Sequence, residues 1–436
     1  FGPALSRIDG MVYHGELVPR HGPGATADYR RGNLKWVMPF WLDRLEYLFP
    51  YWEYALPNAK FAREDPDVTW LSPGEELPTR LVAVPKTQAT PRLIAEEPTV
   101  MQYIQQAIMQ PLVLEIESNL ISGSFTGFTD QAPNQLLARK GSEDGSLATL
   151  DLSEASDRVA NWLVEELFGD FPNFLEGIQA CRSTRCQLPS GEVIPLLKFA
   201  SMGSALTFPI EAMLFTAVAL MGCLGTSQSP TMPRIKRLVG SVRVYGDDII
   251  VPANKAVAVS EMLEIFGFQV NRRKSFWNGP FRESCGREYF KGQDVSIVRS
   301  RRAFPDTRRY AEELISMVSL RNQLCEHGWL ETVELLDTEI LRLLGGRFPY
   351  VSSNSSLLGR VGLEPPEIHR MSPTLHRPEV RGYSVDVRIP RSPLNGVPAL
   401  LKCLMHPGIS RMQTDHLKRS GRPRAVGLKL VWAPVA

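Results

Sequence analysis

The stretch VRVYGDDIIV, residues 242–251, constrains this chain more than any other. Val242 and Val244 lead into a turn, Ile249, Ile250 and Val251 lead out of it, and Pro252 ends the second run, so the pattern predicts a tight β-hairpin. Successive strand residues face opposite sides, but at the tip of a hairpin both carboxylates of Asp247 and Asp248 can point outward. Such a tip suits a hard cation: Mg²⁺ takes oxygen ligands, keeps several waters, and is held by one or two carboxylates together with substrate phosphates. A bare GDD tip is more often a solvated, Asp-rich turn, and it is the surroundings that reverse that reading.

Those surroundings supply a second carboxylate. Leu147, Thr149 and Asp151 in SLATLDLSEASD alternate as a short buried strand, and Val159, Trp162, Leu163 and Leu167 recur at helical spacing before Gly169. A second helix is expected over 204–221, a third over 256–266 stopped by Gly267, and a strand over 268–270. The order β-α-α-β-β-α-β is close to a split βαβ sheet with helices on one face, an α+β architecture. Asp151 then ends a strand of the same sheet as the hairpin, and two strand ends presenting carboxylates could hold two ions about 4 Å apart for phosphoryl displacement. Asp151 could equally cap a helix, and Asp157 could cap one or accept a hydrogen bond from a ribose hydroxyl.

Three further elements add polar groups. The turn Ser201-Met202-Gly203-Ser204 at a helix entrance lets a ligand approach the backbone closely, or simply caps the helix. In VPKTQATPRLIAEEP, Lys86 and Arg92 flank a turn as a triphosphate clamp or as solvated surface. Lys274, in NRRK, could protonate a leaving pyrophosphate or belong to basic surface.

Outside this centre, residues 1–145 hold many prolines and an HGPG at 21–24, so only short regular elements are expected there. Beyond residue 299 the texture turns helical: Asp306 is placed to cap a helix over 307–325, and a second runs over 330–344 to Gly345 and Gly346. The final 90 residues show weak periodicity. With 43% hydrophobic and 22% charged residues most of the chain should fold, and a formal charge of +2 confines any polyanion-binding surface to local patches. Six scattered cysteines exclude a disulfide framework and point to a reducing compartment; the single C-x₄-C pair, Cys181 and Cys186, lacks partners for zinc. The longest nearly apolar run, 212–225, falls short of the ~18 residues of a membrane span, so a soluble protein without a signal peptide is expected. The chain opens at Phe1 without methionine, and N-terminal truncation is expected.

The series LDLSEASD, SMGSALTF, VYGDDIIVP and KSFWNGPFRESCG, with VPKTQATPRLIAEEP upstream, resembles the motifs of viral RNA-directed RNA polymerases. Within that group it is most similar to the replicase beta subunit of levivirus-like single-stranded RNA bacteriophages, over residues 81–292; HGPG also resembles that group, and the region after 300 does so loosely. The resemblance implies a right-hand polymerase with fingers at 1–145, a palm with a finger-side insertion at 146–298, and a thumb and C-terminal region at 299–436. It implies copying of an RNA template into nascent RNA from ribonucleoside triphosphates, with two Mg²⁺ or Mn²⁺ ions held by Asp151 and Asp247 and assisted by Asp248. Asp157, Ser201 and Gly203 would seat the ribose, Lys86 and Arg92 the triphosphate, and Lys274 would be the general acid. Phe281, Arg282, Glu283, Ser284, Cys285 and Gly286 would support the primer end. Host translation elongation factors and a ribosomal protein are implied as partners, no membrane is, and the setting would be the cytoplasm of an infected bacterium. One departure stands out: residues 207–211 lack the Asn with which many such enzymes support the ribose-sensing Asp.

Two other functions compete. A reverse transcriptase would carry an aromatic gate near residues 155–157, where this chain has Ala155, Ser156 and Asp157, and a larger residue in place of Gly246. A non-catalytic RNA-binding module could use Arg299, Arg301, Arg302, Arg308, Arg309 and the basic tail over 418–424, but it gives no reason for three placed aspartates.

Overall fold

A computed structural model describes residues 1–63, 68–85, 91–225, 229–362, 364–388, 392–405 and 424–435. The chain is a mixed α/β protein of two compact units. One comprises Phe1–Ser296 with the returning helix Gly396–Met405; the other begins at Ile297 and includes the strand Arg424–Pro434.

The first unit is organised by the predicted hairpin. Arg243–Tyr245 pairs antiparallel with Asp248–Pro252, which pairs in turn with Leu147–Leu150, all four of whose residues are buried. Leu152–Ser153 continues beyond Asp151 to pair with Gln269–Val270, and Phe276 exchanges two backbone hydrogen bonds with Thr149. Two helices cover this sheet. Thr207–Leu224 is apolar nearly all round, as a helix enclosed in a core must be, and Ala256–Ile265 crosses it where a Cβ on Gly222 would lie 2.7 Å from Val259 Cα. By length and composition Thr207–Leu224 could cross a membrane, because the helix begins well before the apolar run counted in the sequence; 72% of it is buried inside this unit.

Elsewhere in the unit the sequence expectation of short elements fails. Gly2–Tyr13, Thr99–Ser118 and Ala132–Asp144 are substantial helices. The prolines mark loops, strand ends and helix starts instead, and the 20-residue Thr99–Ser118 even accommodates Pro111. Trp162, counted toward an apolar stripe, is exposed, while Leu163, Val164 and Phe168 are buried.

Among the described residues of the second unit the helices are Ala311–Glu326 and Leu330–Leu343, joined by the bidentate pair Arg321–Asp337 at 2.7 and 2.8 Å. The first starts at Ala311 after Tyr310, so Asp306 lies upstream and caps nothing. The weakly periodic C-terminal region contributes two 11-residue strands, Pro378–Arg388 and Arg424–Pro434, paired along their length with one register shift at Asp386/Val387.

Candidate active site

Because Tyr245 and Asp248 are the last paired residues, Gly246 and Asp247 form a two-residue turn. Gly246 has φ +60°, the handedness a hairpin of this length requires at its first central position, and a Cβ there would lie 2.2 Å from the Phe208 ring. Phe208 in turn packs edge-on against Tyr245 at 5.1 Å, and the Tyr245 hydroxyl donates to Phe128 O at 3.0 Å. Aromatic packing thus fixes the tip against the first turn of Thr207–Leu224.

Asp151 meets the tip through register. Ile249 lies opposite Leu150, so the next positions across the ladder are Asp248 and Asp151. Asn271 Nδ2 donates to Asp151 Oδ2 at 2.9 Å, its backbone N–H donates to Asp151 O at 2.8 Å, and Asp151 N–H donates to Ser275 Oγ at 3.0 Å. Asn271 therefore aims the carboxylate without neutralising it. The polymerase resemblance makes Asp151 a metal ligand, and outer partners of such carboxylates are typically worth ten- to a hundredfold, so on that expectation Asn271→Ala should lower nucleotide incorporation by about 10–100-fold at unchanged secondary structure. Steady-state kinetics beside circular dichroism would check this, and unaltered kinetics would contradict it.

Asp248 is braced from below. Its Oδ1 accepts from Cys285 N–H at 3.0 Å and from Ser284 Oγ at 3.3 Å. Cys285 and Gly286 form the turn between paired Ser284 and Arg287 with φ +49° and +72°, the two positive values that a type I′ turn needs. The Asp248 pKa is pushed up to about 6, by burial first and then by the charges of Asp247 and Asp151, against the lowering effect of the Cys285 and Ser284 hydrogen bonds. The Cys285 thiol is pushed up to about 12, chiefly by burial.

This shift has a definite sign. The folded state holds the Asp248 proton up to pH about 6 whereas the unfolded chain releases it near 3.8, so stability without divalent ions should fall as pH rises through that window. Melting in chelator at pH 5 and 7.5 checks it: the wild-type melting temperature should drop at the higher pH, Asp248→Asn should flatten the dependence, and Mg²⁺ should stabilise more at pH 7.5. An equal pH response in the variant would contradict this origin.

The remaining expected residues divide into those gathered here and those placed otherwise. Gly203 has φ +132°, and a Cβ on it would fall 1.9 Å from Ala95 O; Ala95 N–H donates to Met202 O at 2.7 Å. The Ser201–Ser204 turn is thereby clamped to the strand Pro91–Glu96 that carries exposed Arg92, while Ser201 O accepts from the Thr207 hydroxyl at 2.7 Å. Lys86 lies outside the described residues, as does the basic tail before Arg424. Asp157 sits in the 3₁₀ turn Ser156–Arg158 rather than capping a helix, and its carboxylate pairs with Lys198. Lys274 is exposed in the turn that Asn271 opens. In FRESCG the side chains do not all face a ligand: Arg282 is 1% exposed and donates to the carbonyls of Leu147, Gly279 and Phe281, tying this hairpin beneath the sheet. Phe281 packs on Phe276 at 4.7 Å, and Glu283 N–H donates to Thr149 Oγ1 at 3.4 Å.

Sequence reasoning missed Lys198 and Ser275, and placed Glu211 on the helix after the Ser201–Ser204 turn without giving it a role. Glu211, 7% exposed on Thr207–Leu224, has its carboxyl pKa raised well above the usual range by burial first and then by Asp247 and Asp157. Only its acidic character among apolar neighbours in TFPIEAML signalled anything in the sequence.

Among the described residues no three His, Cys, Asp or Glu side chains close around a cation on their own. A hard ion at this place would need waters and substrate phosphates to complete its shell. The mutual repulsion felt at Asp248 is the charge imbalance a cation would relieve.

A strand-end aspartate, a carboxylate-tipped hairpin and a glycine-strained turn meet here, and comparison places them: the chain belongs to the RNA replicase, beta-chain family, whose model matches residues 74–345, more than half the sequence. Among individual relatives it is 36% identical over 301 residues to the RNA-directed RNA polymerase subunit beta of Enterobacteria phage SP, covering 66% of this chain and 48% of that one. It is 38% identical over 217 residues to the Qbeta virus (strain MX1) subunit, covering 50% and 34%. To the beta chain of Escherichia phage MS2 it is 35% identical over 246 residues, covering 56% and 40%. The chain thus spans less than half the length of these curated relatives. A solved RNA-dependent RNA polymerase of a human picorbirnavirus aligns with a TM-score of 0.43 at 14% identity, over 62% of this chain and 57% of that one.

Proposed function

We propose that this chain is an RNA-directed RNA polymerase that extends nascent RNA on an RNA template from ribonucleoside triphosphates in an infected bacterial cytoplasm. The observation that carries the proposal is the convergence of Asp151, Asp247 and Asp248 at one end of the sheet, in a chain of the replicase beta-chain family. The sheet and the helices Thr207–Leu224 and Ala256–Ile265 correspond to the split βαβ palm of a right-hand polymerase, residues 1–145 to fingers and 299–436 to thumb and C-terminal region.

Asp151 and Asp247 would hold two Mg²⁺ or Mn²⁺ ions, with Asp248, itself held by Cys285 and Ser284, assisting. When bound, the ions lower the pKa of the attacking 3′-hydroxyl and stabilise charge on the leaving pyrophosphate. The protein's own contribution is placement and charge. Arg92 and Lys86 hold the triphosphate, Lys274 supplies a proton to the pyrophosphate, and the Ser201–Ser204 turn presents its backbone to the sugar. The FRESCG hairpin acts on the primer end through its frame and its grip on Asp248. Host elongation factors and a ribosomal protein are proposed partners on family grounds alone.

Incorporation of a labelled ribonucleotide on a short RNA template with Mg²⁺, run beside Asp247→Asn, tests the proposal. Template-dependent extension by the wild type and none by the variant is the expected result. RNA binding without incorporation in both would overturn it in favour of a binding module.

A further inference from the structure

The helix Ala132–Asp144 lies against the strand that leads to Asp151, both strands of the Asp247 hairpin and both strands of the FRESCG hairpin. A Cβ on Gly141 would fall 2.7 Å from Leu147 O, so helix and strand touch along their backbones. Two side-chain amides of its first turn reach these hairpins. Gln135 Nε2 donates to Cys285 O at 3.1 Å, and Asn134 Nδ2 donates to Asp248 O across a long 3.4 Å. Asn134 is 0% exposed, and no donor among the described residues reaches its Oδ1. A fully buried amide with its acceptor unused costs more than an apolar residue of the same size. What the apolar residue could not supply is the bond to the Asp248 backbone.

We propose that Gln135 is a positioning residue for Asp248: acting through the Cys285 turn, it fixes how that carboxylate faces the divalent ions. The inference rests on the polymerase reading and deepens it. Cys285 N–H donates to Asp248 Oδ1 at 3.0 Å, and the carbonyl of the same residue is the one that Gln135 holds. Cys285 has φ +49°, a conformation that a non-glycine residue keeps only where its surroundings impose it. With its carbonyl held from the helix, its N–H stays aimed at the carboxylate. Once the carbonyl is released, the turn can relax and draw the N–H away from Oδ1, and only Ser284 Oγ at 3.3 Å still orients the side chain from this hairpin. A carboxylate ordered before the ion arrives binds it more tightly, so Gln135 acts on ion affinity. Arg139, one turn further along the helix, donates to Gly292 O at 2.9 Å, beyond the opposite end of the strand Arg287–Phe290.

The test titrates Mn²⁺ into the protein with an α,β-methylene ribonucleoside triphosphate, which cannot be incorporated, and reads the free ion by electron paramagnetic resonance. Half-saturating Mg²⁺ for template-dependent incorporation is measured beside it. Gln135→Met keeps the volume and loses the donor. It should raise both the Mn²⁺ dissociation constant and the half-saturating Mg²⁺ by about tenfold, the scale of a group that orients a metal-binding carboxylate, with the lost rate recovered in excess Mg²⁺. Arg139→Met loosens the same hairpin at its far end and should leave the Mn²⁺ constant unchanged. An unaltered Mn²⁺ constant in Gln135→Met, or one raised equally by Arg139→Met, as general loosening of the hairpin would do, overturns the inference. If Gln135→Met does not fold, Gln135→Ala puts the strongest helix former at this half-buried position and carries the same comparison with the same outcomes. A wild-type chain that incorporates nothing removes the polymerase reading and this inference with it, whereas wild-type incorporation beside an unmoved Mn²⁺ constant in the variant removes this inference alone.

Discussion

Replacing Asp247 by alanine is expected to reduce nucleotide incorporation by at least about 10³-fold, roughly 4 kcal/mol of transition-state stabilisation, with no loss of folded stability. The two halves of this expectation have separate causes. Asp247 is the second residue of the turn and lies beyond the last ladder pair, so its side chain supports no strand. Its charge raises the proton affinity of both Asp248 and Glu211, so its removal relieves repulsion among these carboxyl groups when no divalent ion is supplied. A melting temperature equal to or slightly above wild type, measured without divalent ions, would fit. Activity within about tenfold of wild type would remove Asp247 from the chemistry.

Gly203→Ala is expected to cost about 3 kcal/mol or more in folding stability and to weaken nucleotide binding as well. The added Cβ would meet Ala95 O at 1.9 Å, and φ +132° is a conformation that L side chains avoid. The turn cannot simply withdraw, because Met202 O is bonded to Ala95 N–H at the same place. Relaxation must push away the strand Pro91–Glu96 and with it Arg92, so KM for nucleotide should rise. Gly145 is the control: it ends the helix Ala132–Asp144 at φ +71° with nothing near its missing Cβ, so Gly145→Ala should cost only about 1 kcal/mol and leave KM alone. Denaturant titration and initial-rate kinetics on both variants separate the two effects, and similar losses from both would contradict the collision at Gly203.

The contrast between those glycines shows which parts of the site the sequence could reveal. Local chemistry was readable: β-branched residues on both sides of a two-residue turn specify the hairpin, and Asp151 follows directly from its strand. Long-range partners were not. Lys198 reaches Asp157 across 41 positions, and Cys285 reaches Asp248 across 37, through folding that no short pattern encodes. Arg282, which the resemblance grouped with the primer support, is satisfied by three carbonyls in the interior, a placement its charge does not signal. In the first 145 residues proline density hid helices that tertiary packing stabilises, with Tyr103, Ile104 and Ile108 buried on Thr99–Ser118. In the second unit Asp306 has the chemistry of a cap but stands several residues before the helix it was matched to.

Anomalous scattering from crystals soaked in Mn²⁺ and a ribonucleoside triphosphate addresses the shared carboxylate site most directly. Density at about 2.1 Å from oxygens of both Asp151 and Asp247, adjoining the triphosphate and absent in Asp247→Asn, is the expected result. Mn²⁺ and nucleotide bound elsewhere, with Asp151 holding no ion, would contradict it.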